Sequence, residues 1–145
     1  MGDFSKDINS KFANHKIKAT LNILYTANWI NGHQNAFFKP YGISPQQFNI
    51  LRILKGASKP LKVQTIRERM VEKSPNATRL MDKLCAKNLI EREHCPSDRR
   101  VVYSRITGEG KTLLVEISKH LKDDLLENLS EDEAIQLSKL LDKIR

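Results

Sequence analysis

Between Ser5 and Phe38 the chain carries apolar residues at helical spacing: Phe12, Ile17, Leu21, Leu24, Tyr25, Trp29, Phe37 and Phe38, with no proline before Pro40. Residues three and four apart share one face of a helix. The stretch therefore predicts a helix of about 30 residues, well beyond the usual globular length of about 11–12. Such a helix ordinarily needs a partner to cover its apolar stripe. Gly32 is its weak point.

The rest of the chain is divided by helix starts. Ser44-Pro45-Gln46-Gln47 offers a cap, a proline suited to the first helical position and the second half of a capping box. Phe48, Leu51 and Leu54 form that helix's buried face, Gly56 ends it, and Lys59-Pro60 turns the chain. Lys62 to Met70 predicts a short helix with Val63, Ile66 and Met70 inward. Ser74-Pro75 opens another by the same cap-and-proline logic. Its inner face is Leu80, Met81, Leu84 and Cys85; its outer face is Asn76, Thr78, Arg79, Asp82, Lys83 and Lys87. Asn88 tolerates the left-handed backbone that closes a helix. Leu89–His94 and Arg100–Ile106 are short extended runs rich in β-branched and aromatic side chains. The turn-rich Cys95-Pro96-Ser97-Asp98-Arg99 joins them as a hairpin with a basic tip. Thr107 caps a helix with Leu113, Leu114, Ile117, Leu121 and Leu125 on its apolar face. Ser130-Glu131-Asp132-Glu133 starts the last one, with Ala134, Leu137, Leu140, Leu141 and Ile144 inward.

Charge narrows the function. The 145 residues make one domain, with 25 Lys+Arg against 17 Asp+Glu. Residues 59–105 hold 12 of the basic and 6 of the acidic side chains, so about a third of the chain carries most of the excess. That is the electrostatic footprint of nucleic-acid binding. No apolar run approaches the roughly 20 residues of a membrane span. No secretory signal is visible, so Cys85 and Cys95 read as reduced thiols of a cytoplasmic protein. Glycine-rich phosphate loops, nucleophile elbows and catalytic triads are missing, which argues against an enzyme. His15, His33, His94 and His120 lack metal-site spacing, so neither metal nor cofactor is expected. Asp123-Asp124 is acidic without a catalytic partner, and Glu131–Glu133 is explained by helix capping.

Helix, helix, turn, helix and hairpin is the order of a winged helix-turn-helix. A polar, basic helix face fits the major groove, where base edges are distinguishable, and an arginine-tipped hairpin reaches the adjacent minor groove. The stretch Ser97-Asp98-Arg99-Arg100-Val101-Val102-Tyr103-Ser104-Arg105-Ile106-Thr107-Gly108-Glu109-Gly110 resembles the wing of the multiple-antibiotic-resistance regulator (MarR) family of bacterial transcription factors. Thr78-Arg79-Leu80-Met81-Asp82-Lys83-Leu84 is similar to the family's recognition helix. The resemblance covers essentially the whole chain. It implies a mostly α fold with a small β-hairpin wing: a winged helix-turn-helix over about 44–106, flanked by dimerisation helices over about 5–38 and 107–145. It implies a homodimer on double-stranded DNA, sequence-specific at a pseudo-palindromic operator, acting as a repressor.

Carried over residue by residue, Asn76, Ala77, Thr78 and Arg79 would lie near base edges and Lys83 near phosphate. Asp98 would brace the wing, with Arg99 and Arg100 on DNA. The resemblance also implies a small, often aromatic effector that releases DNA. Trp29, His33, Phe37, Tyr41 and Phe48 then read as a pocket lining, beside the plainer reading of core and dimer interface. Asn88 stands where the family has glycine, Ile106 where it has leucine, and Arg67 where it has alanine; a buried Arg67 would be costly, so it should snorkel outward. Two alternatives stand: an interaction module that kept the fold without specific DNA binding, and a redox sensor using Cys85 or Cys95.

Overall fold

In the computed structural model, which describes residues 2–73, 75–122 and 124–145, the long N-terminal helix is present but shorter than expected. Helix α2 spans His15–Phe38, and a one-turn helix α1, Phe4–Asp7, precedes it. Asparagines break the expected continuity. Asn9 turns into the left-handed region at φ 48°, and the Asn14 side chain caps α2 by accepting the Ile17 N–H at 2.9 Å. Asn offers the backbone hydrogen bonds that compete with the helical ladder, so apolar spacing persists where the helix does not. Phe12 stacks on Phe4 at 5.3 Å, and Phe4 packs on Tyr25 at the same distance. Helix α2 passes through Gly32 unbroken and ends in a 3-10 turn, Lys39–Tyr41, closed by Gly42 at φ 69°.

Helix α3, Pro45–Ala57, carries the full capping box: the Gln47 N–H donates to Ser44 Oγ at 3.1 Å, and the Ser44 N–H donates to Gln47 Oε1 at 2.9 Å. It runs one residue past Gly56, and Ser58 closes it in the left-handed conformation. Its Ile50, Leu51 and Leu54 are fully buried. They belong to one core with Ile66 of α4 (Val63–Arg69), Met81 and Leu84 of α5 (Ala77–Ala86), and Leu114 and Ile117 of α6 (Gly108–His120). Each such side chain contributes roughly 1.5–3 kcal/mol on burial.

Helix α5 starts later than the Ser74-Pro75 pattern suggests. Pro75 and Asn76 form a turn, and the first helical residue is Ala77, anchored by burial; Ser74, like Asp123, lies outside the described residues. Asn88 closes α5 at φ 57°, as expected. Strands β2, Ile90–Cys95, and β3, Asp98–Ile106, form the hairpin, with Ile90 opposite Ile106 and Arg92 opposite Ser104. The turn is tighter than expected, only Pro96-Ser97. A third strand, β1 (Leu61–Lys62), pairs Leu61 with Ser104 and completes a sheet of order β1-β3-β2. Two residues carry no periodicity, so nothing announced that strand. The architecture is mostly helical with a three-stranded antiparallel wing.

Helix α6 stops at His120, because Leu121 turns to extended backbone, so Leu125 is not part of it. Helix α7, Glu131–Asp142, has its complete Ser130–Glu133 capping box. The inward placing of Leu137, Leu140 and Ile144 is not met within one chain: Leu140 is 61% and Ile144 68% exposed. Leu24 of α2 is 58% exposed. Amphipathic pattern marks a face that is to be covered, and this chain alone does not cover it.

The ends of α5 and of the wing converge on the start of α6. Leu89 donates its N–H to the Leu84 carbonyl at 3.0 Å, and the Thr107 N–H donates to the Leu89 carbonyl at 3.1 Å. The Thr107 hydroxyl donates to the Asn88 carbonyl at 2.6 Å and accepts the Gly110 N–H at 3.0 Å. A Cβ on Gly110 would fall on the Leu89 carbonyl oxygen and within 2.7 Å of Ile106 Cγ1. Gly110→Ala should therefore destabilise the fold by about 1–3 kcal/mol in urea unfolding. Gly56→Ala, whose Cβ meets nothing within 4 Å, should be neutral or stabilising by up to about 1 kcal/mol. Equal midpoints for the two variants would refute the junction.

Candidate nucleic-acid interface

Helix α5 presents Asn76, Thr78, Arg79 and Lys83 at the surface. Ala77 departs from expectation: it is 0% exposed and belongs to the core. The helix that shows its neighbours to solvent turns Ala77 inward, so it positions the helix and cannot reach a base. Arg67 is exposed, as the cost of burying it requires.

Arg92 joins this helix to the wing. Its Nη1 donates to Asp82 Oδ1 at 2.6 Å and its Nη2 to the Thr78 carbonyl at 3.4 Å. Sequence reasoning missed it, since nothing in the spacing pairs a strand arginine with a carboxylate ten residues upstream. On the far side of β2, Glu91 accepts from Arg105 at 2.6 Å across the strand pair. Exposed pairs such as these are worth a few tenths of a kcal/mol; what they supply is orientation.

At the wing tip one carboxylate oxygen does two jobs. Asp98 Oδ1 accepts the Arg100 N–H at 3.0 Å and the Arg100 Nε at 3.3 Å. The Arg100 side chain is nevertheless 92% exposed, so Asp98 orients its guanidinium without covering it. His94 Nδ1 lies 3.0 Å from the Arg99 carbonyl, which makes Nδ1 the protonated nitrogen. Arg99 is exposed beside it. Neither Arg79, Lys83 nor Arg99 forms an ion pair with a carboxylate among the described residues. Asp82, which could neutralise this surface, is held by Arg92. The result is a surface of uncompensated cations on one helix and one hairpin.

A cavity of about 1230 Å³ lies between α2, α3 and His120, Leu121, Lys122, Asp124 and Leu125. Of the five expected pocket residues, His33, Phe37 and Phe48 line it, with Arg52, His120 and Lys122. Trp29 and Tyr41 do not. They support the lining from behind: Trp29 meets His33 edge-on at 4.4 Å, and Tyr41 packs on Phe37 at 5.7 Å. The Arg52 guanidinium sits 5.9 Å from the Phe48 ring centre.

Both cysteines are free and half-buried. Burial pushes the Cys85 thiol up from its ordinary value. The Cys95 thiol is lowered, chiefly by the Ser97 hydroxyl, 3.1 Å from its sulfur. The thiolate is the reacting form. Iodoacetamide near pH 8 should therefore alkylate Cys95 before Cys85, read by peptide mass. Ser97→Ala should move the Cys95 rate profile to higher pH. An unmoved profile would refute the hydrogen bond as the cause.

A MarR family model matches residues 43–102. The HTH-type transcriptional regulator MhqR of Bacillus subtilis is 34% identical over 120 residues, 79% of this chain and 81% of that protein. The HTH-type transcriptional repressor MdtR of the same organism is 36% identical over 106 residues, 71% of this chain and 68% of that one. Among solved structures, a cysteine-to-serine mutant of MarR from E. coli in complex with operator DNA superposes with a TM-score of 0.79 at 24% identity, over 93% of this chain and 99% of that one. That last likeness is one of fold. With the identity to MhqR spread over four fifths of that protein, the chain belongs to the MarR family.

Proposed function

We propose that this chain is a transcriptional repressor that binds double-stranded DNA sequence-specifically as a homodimer. The observation that carries the reading is Arg100: oriented by Asp98 through its backbone N–H and Nε, 92% exposed, and held on the same unit as the exposed cations of α5 by Arg92. Helix α5 enters the major groove, with Asn76, Thr78 and Arg79 towards base edges and Lys83 towards phosphate. Arg99 and Arg100 reach the minor groove, where negative potential is focused. Residues 44–106 form the DNA-binding unit.

The flanking segments, 5–38 and 107–145, form the dimer. Leu24 and Trp29 on α2, Leu140 on α7 and Ile144 just beyond it leave apolar faces that a second copy covers. Two-fold symmetry then sets two recognition helices on a pseudo-palindromic operator. The cavity beside α3 takes a small aromatic ligand. Phe37 and Phe48 offer ring faces, and Arg52, Lys122, Glu72 and Asp124 give it a mixed polar rim. Its binding releases DNA. The protein works in the cytoplasm and uses no cofactor.

Fluorescence anisotropy tests the reading, on a labelled duplex from upstream of the chain's own gene against a scrambled duplex. Wild type should prefer the upstream duplex, with affinity falling steeply as salt rises. Arg100→Ala should lose about 1–3 kcal/mol of specific binding. A variant that binds like wild type would remove the wing from the interface. No binding at low salt would promote the interaction module instead. Light scattering on the same sample should give twice 16.7 kDa, and a stable monomer would sink the dimer. Phenols and aromatic carboxylates should lower the anisotropy of wild type and not of Arg52→Ala. Failure of all such ligands on wild type would leave a repressor without this effector.

A further inference from the structure

On the flank of α5 away from the wing, three lysines converge on one hollow. Arg92 reaches α5 at Thr78 and Asp82, so that row of the helix faces the wing. Lys83 lies about 100° further round, with Lys87 one turn beyond it. There they meet Lys39, from the turn that follows α2, around a cavity of about 370 Å³ that Asn35, Gly42 and Ser44 also line. Lys87 Nζ donates to the Gly42 carbonyl, which pins its ammonium at the rim. Gly42 is left-handed at φ 69°, and a Cβ there would stand 3.1 Å from that nitrogen. No lining residue is acidic. None of the three lysines forms an ion pair with a carboxylate among the described residues. The one acidic side chain of α5, Asp82, is taken by Arg92 on the other flank. Three like charges around one hollow repel each other unless an anion sits among them. The start of α3 adds its positive dipole end at Ser44.

We propose that Lys39, Lys83 and Lys87 form a second phosphate-binding site, which takes a backbone phosphate on the flank of the duplex opposite the wing. The inference rests on the DNA-binding reading. A helix seated in the major groove has a phosphate strand on either side of it. The wing faces one strand with Arg99 and Arg100, and this hollow faces the other. Only Lys83 among the three was expected near phosphate. The ligand chemistry is a phosphate oxyanion, which free inorganic phosphate shares with the DNA backbone.

The test compares the full chain with Lys39→Gln and with the double variant Lys39→Gln/Lys87→Gln. Lys39 holds no side-chain hydrogen bond or ion pair among the described residues, so its variant should melt as wild type does. Anisotropy is read on the upstream and scrambled duplexes between about 50 and 200 mM salt. The log–log salt slope should become shallower by about one for each phosphate that is no longer neutralised. Both duplexes should lose affinity alike, leaving their ratio unchanged, whereas Arg100→Ala changes that ratio. An unchanged slope in both variants overturns the proposal. Inorganic phosphate is then titrated into the DNA-free chain while the Gly42 and Ser44 amide resonances are followed. A shallower slope supports the backbone phosphate, whether or not the resonances move. Movement with an unchanged slope overturns the DNA source in favour of free phosphate. Absence of wild-type binding to either duplex overturns the underlying reading, which is a different failure from an unchanged slope.

Discussion

The backbone contact between Gly110 and Leu89 sets the geometry on which the rest depends. Four elements end or begin within a few residues of it: α5, β2, β3 and α6. Thr107 ties three of them with one side chain, donating to Asn88 and accepting from Gly110. Its own N–H goes to Leu89. The recognition helix and the wing are therefore not two parts hung on a linker. They share a junction in which the Leu89, Thr107 and Gly110 N–H groups and the Asn88 and Leu89 carbonyls are paired, and leaving such groups unpaired in a buried place costs about 1–3 kcal/mol each. Asn88 makes the junction possible by accepting the left-handed turn, which it does at less strain than a branched residue would.

A second layer of restraint decides which charges remain open. Asp82 would neutralise the recognition helix if its carboxylate were free, and Arg92 occupies it from the strand next door. Asp98 pairs with the Arg100 guanidinium through Nε and with its backbone N–H, yet the Arg100 side chain stays 92% exposed. In both places an acid is held by one arginine, and Arg79, Lys83 and Arg99 keep no ion pair among the described residues. Arg92 thus does by geometry what the total charge of the chain cannot: it aligns two basic surfaces on one body.

Much of this was legible in the residues. Ser44 and Gln47, Ser130 and Glu133, and Thr107 announce helix starts, because a cap is a local bond between neighbours. Asn88 announced a helix end for the same reason. What was not legible is what depends on distant parts of the chain. The strand Leu61–Lys62 exists only because Ser104 and Tyr103 lie alongside it. The resemblance placed Ala77 among the groove residues, and its full burial, set by packing from other elements, turns it into the core. Apolar periodicity carried the first helix too far, since Phe12 keeps the spacing while Asn9 and Asn14 redirect the backbone. In the last helix, the same periodicity predicted an inward face that the single chain leaves exposed.

Helix α3 links the two ends of the proposed mechanism. Phe48 and Arg52 line the larger cavity, while Gln47, one residue before Phe48, is buried and donates to the Leu80 carbonyl of α5 at 3.3 Å. Asn49 accepts the Val71 N–H at 3.0 Å, and Gln46 donates to Glu72 at 2.7 Å, so α3 also holds the segment between α4 and α5. A ligand against Phe48 and Arg52 would therefore touch the helix that is bonded to Leu80 of α5. Contact alone moves nothing. A ligand shifts the balance between DNA-competent and incompetent arrangements only by its difference in affinity for the two. Turning a population from about 99:1 to its inverse takes roughly 5.5 kcal/mol. Gln47 gives α3 its hydrogen bond to α5, worth about 1 kcal/mol, while Gln46 and Asn49 hold Glu72 and Val71. On the proposed reading, those three residues are where a ligand on α3 would act, and the Gly110 junction ties α5 to the wing.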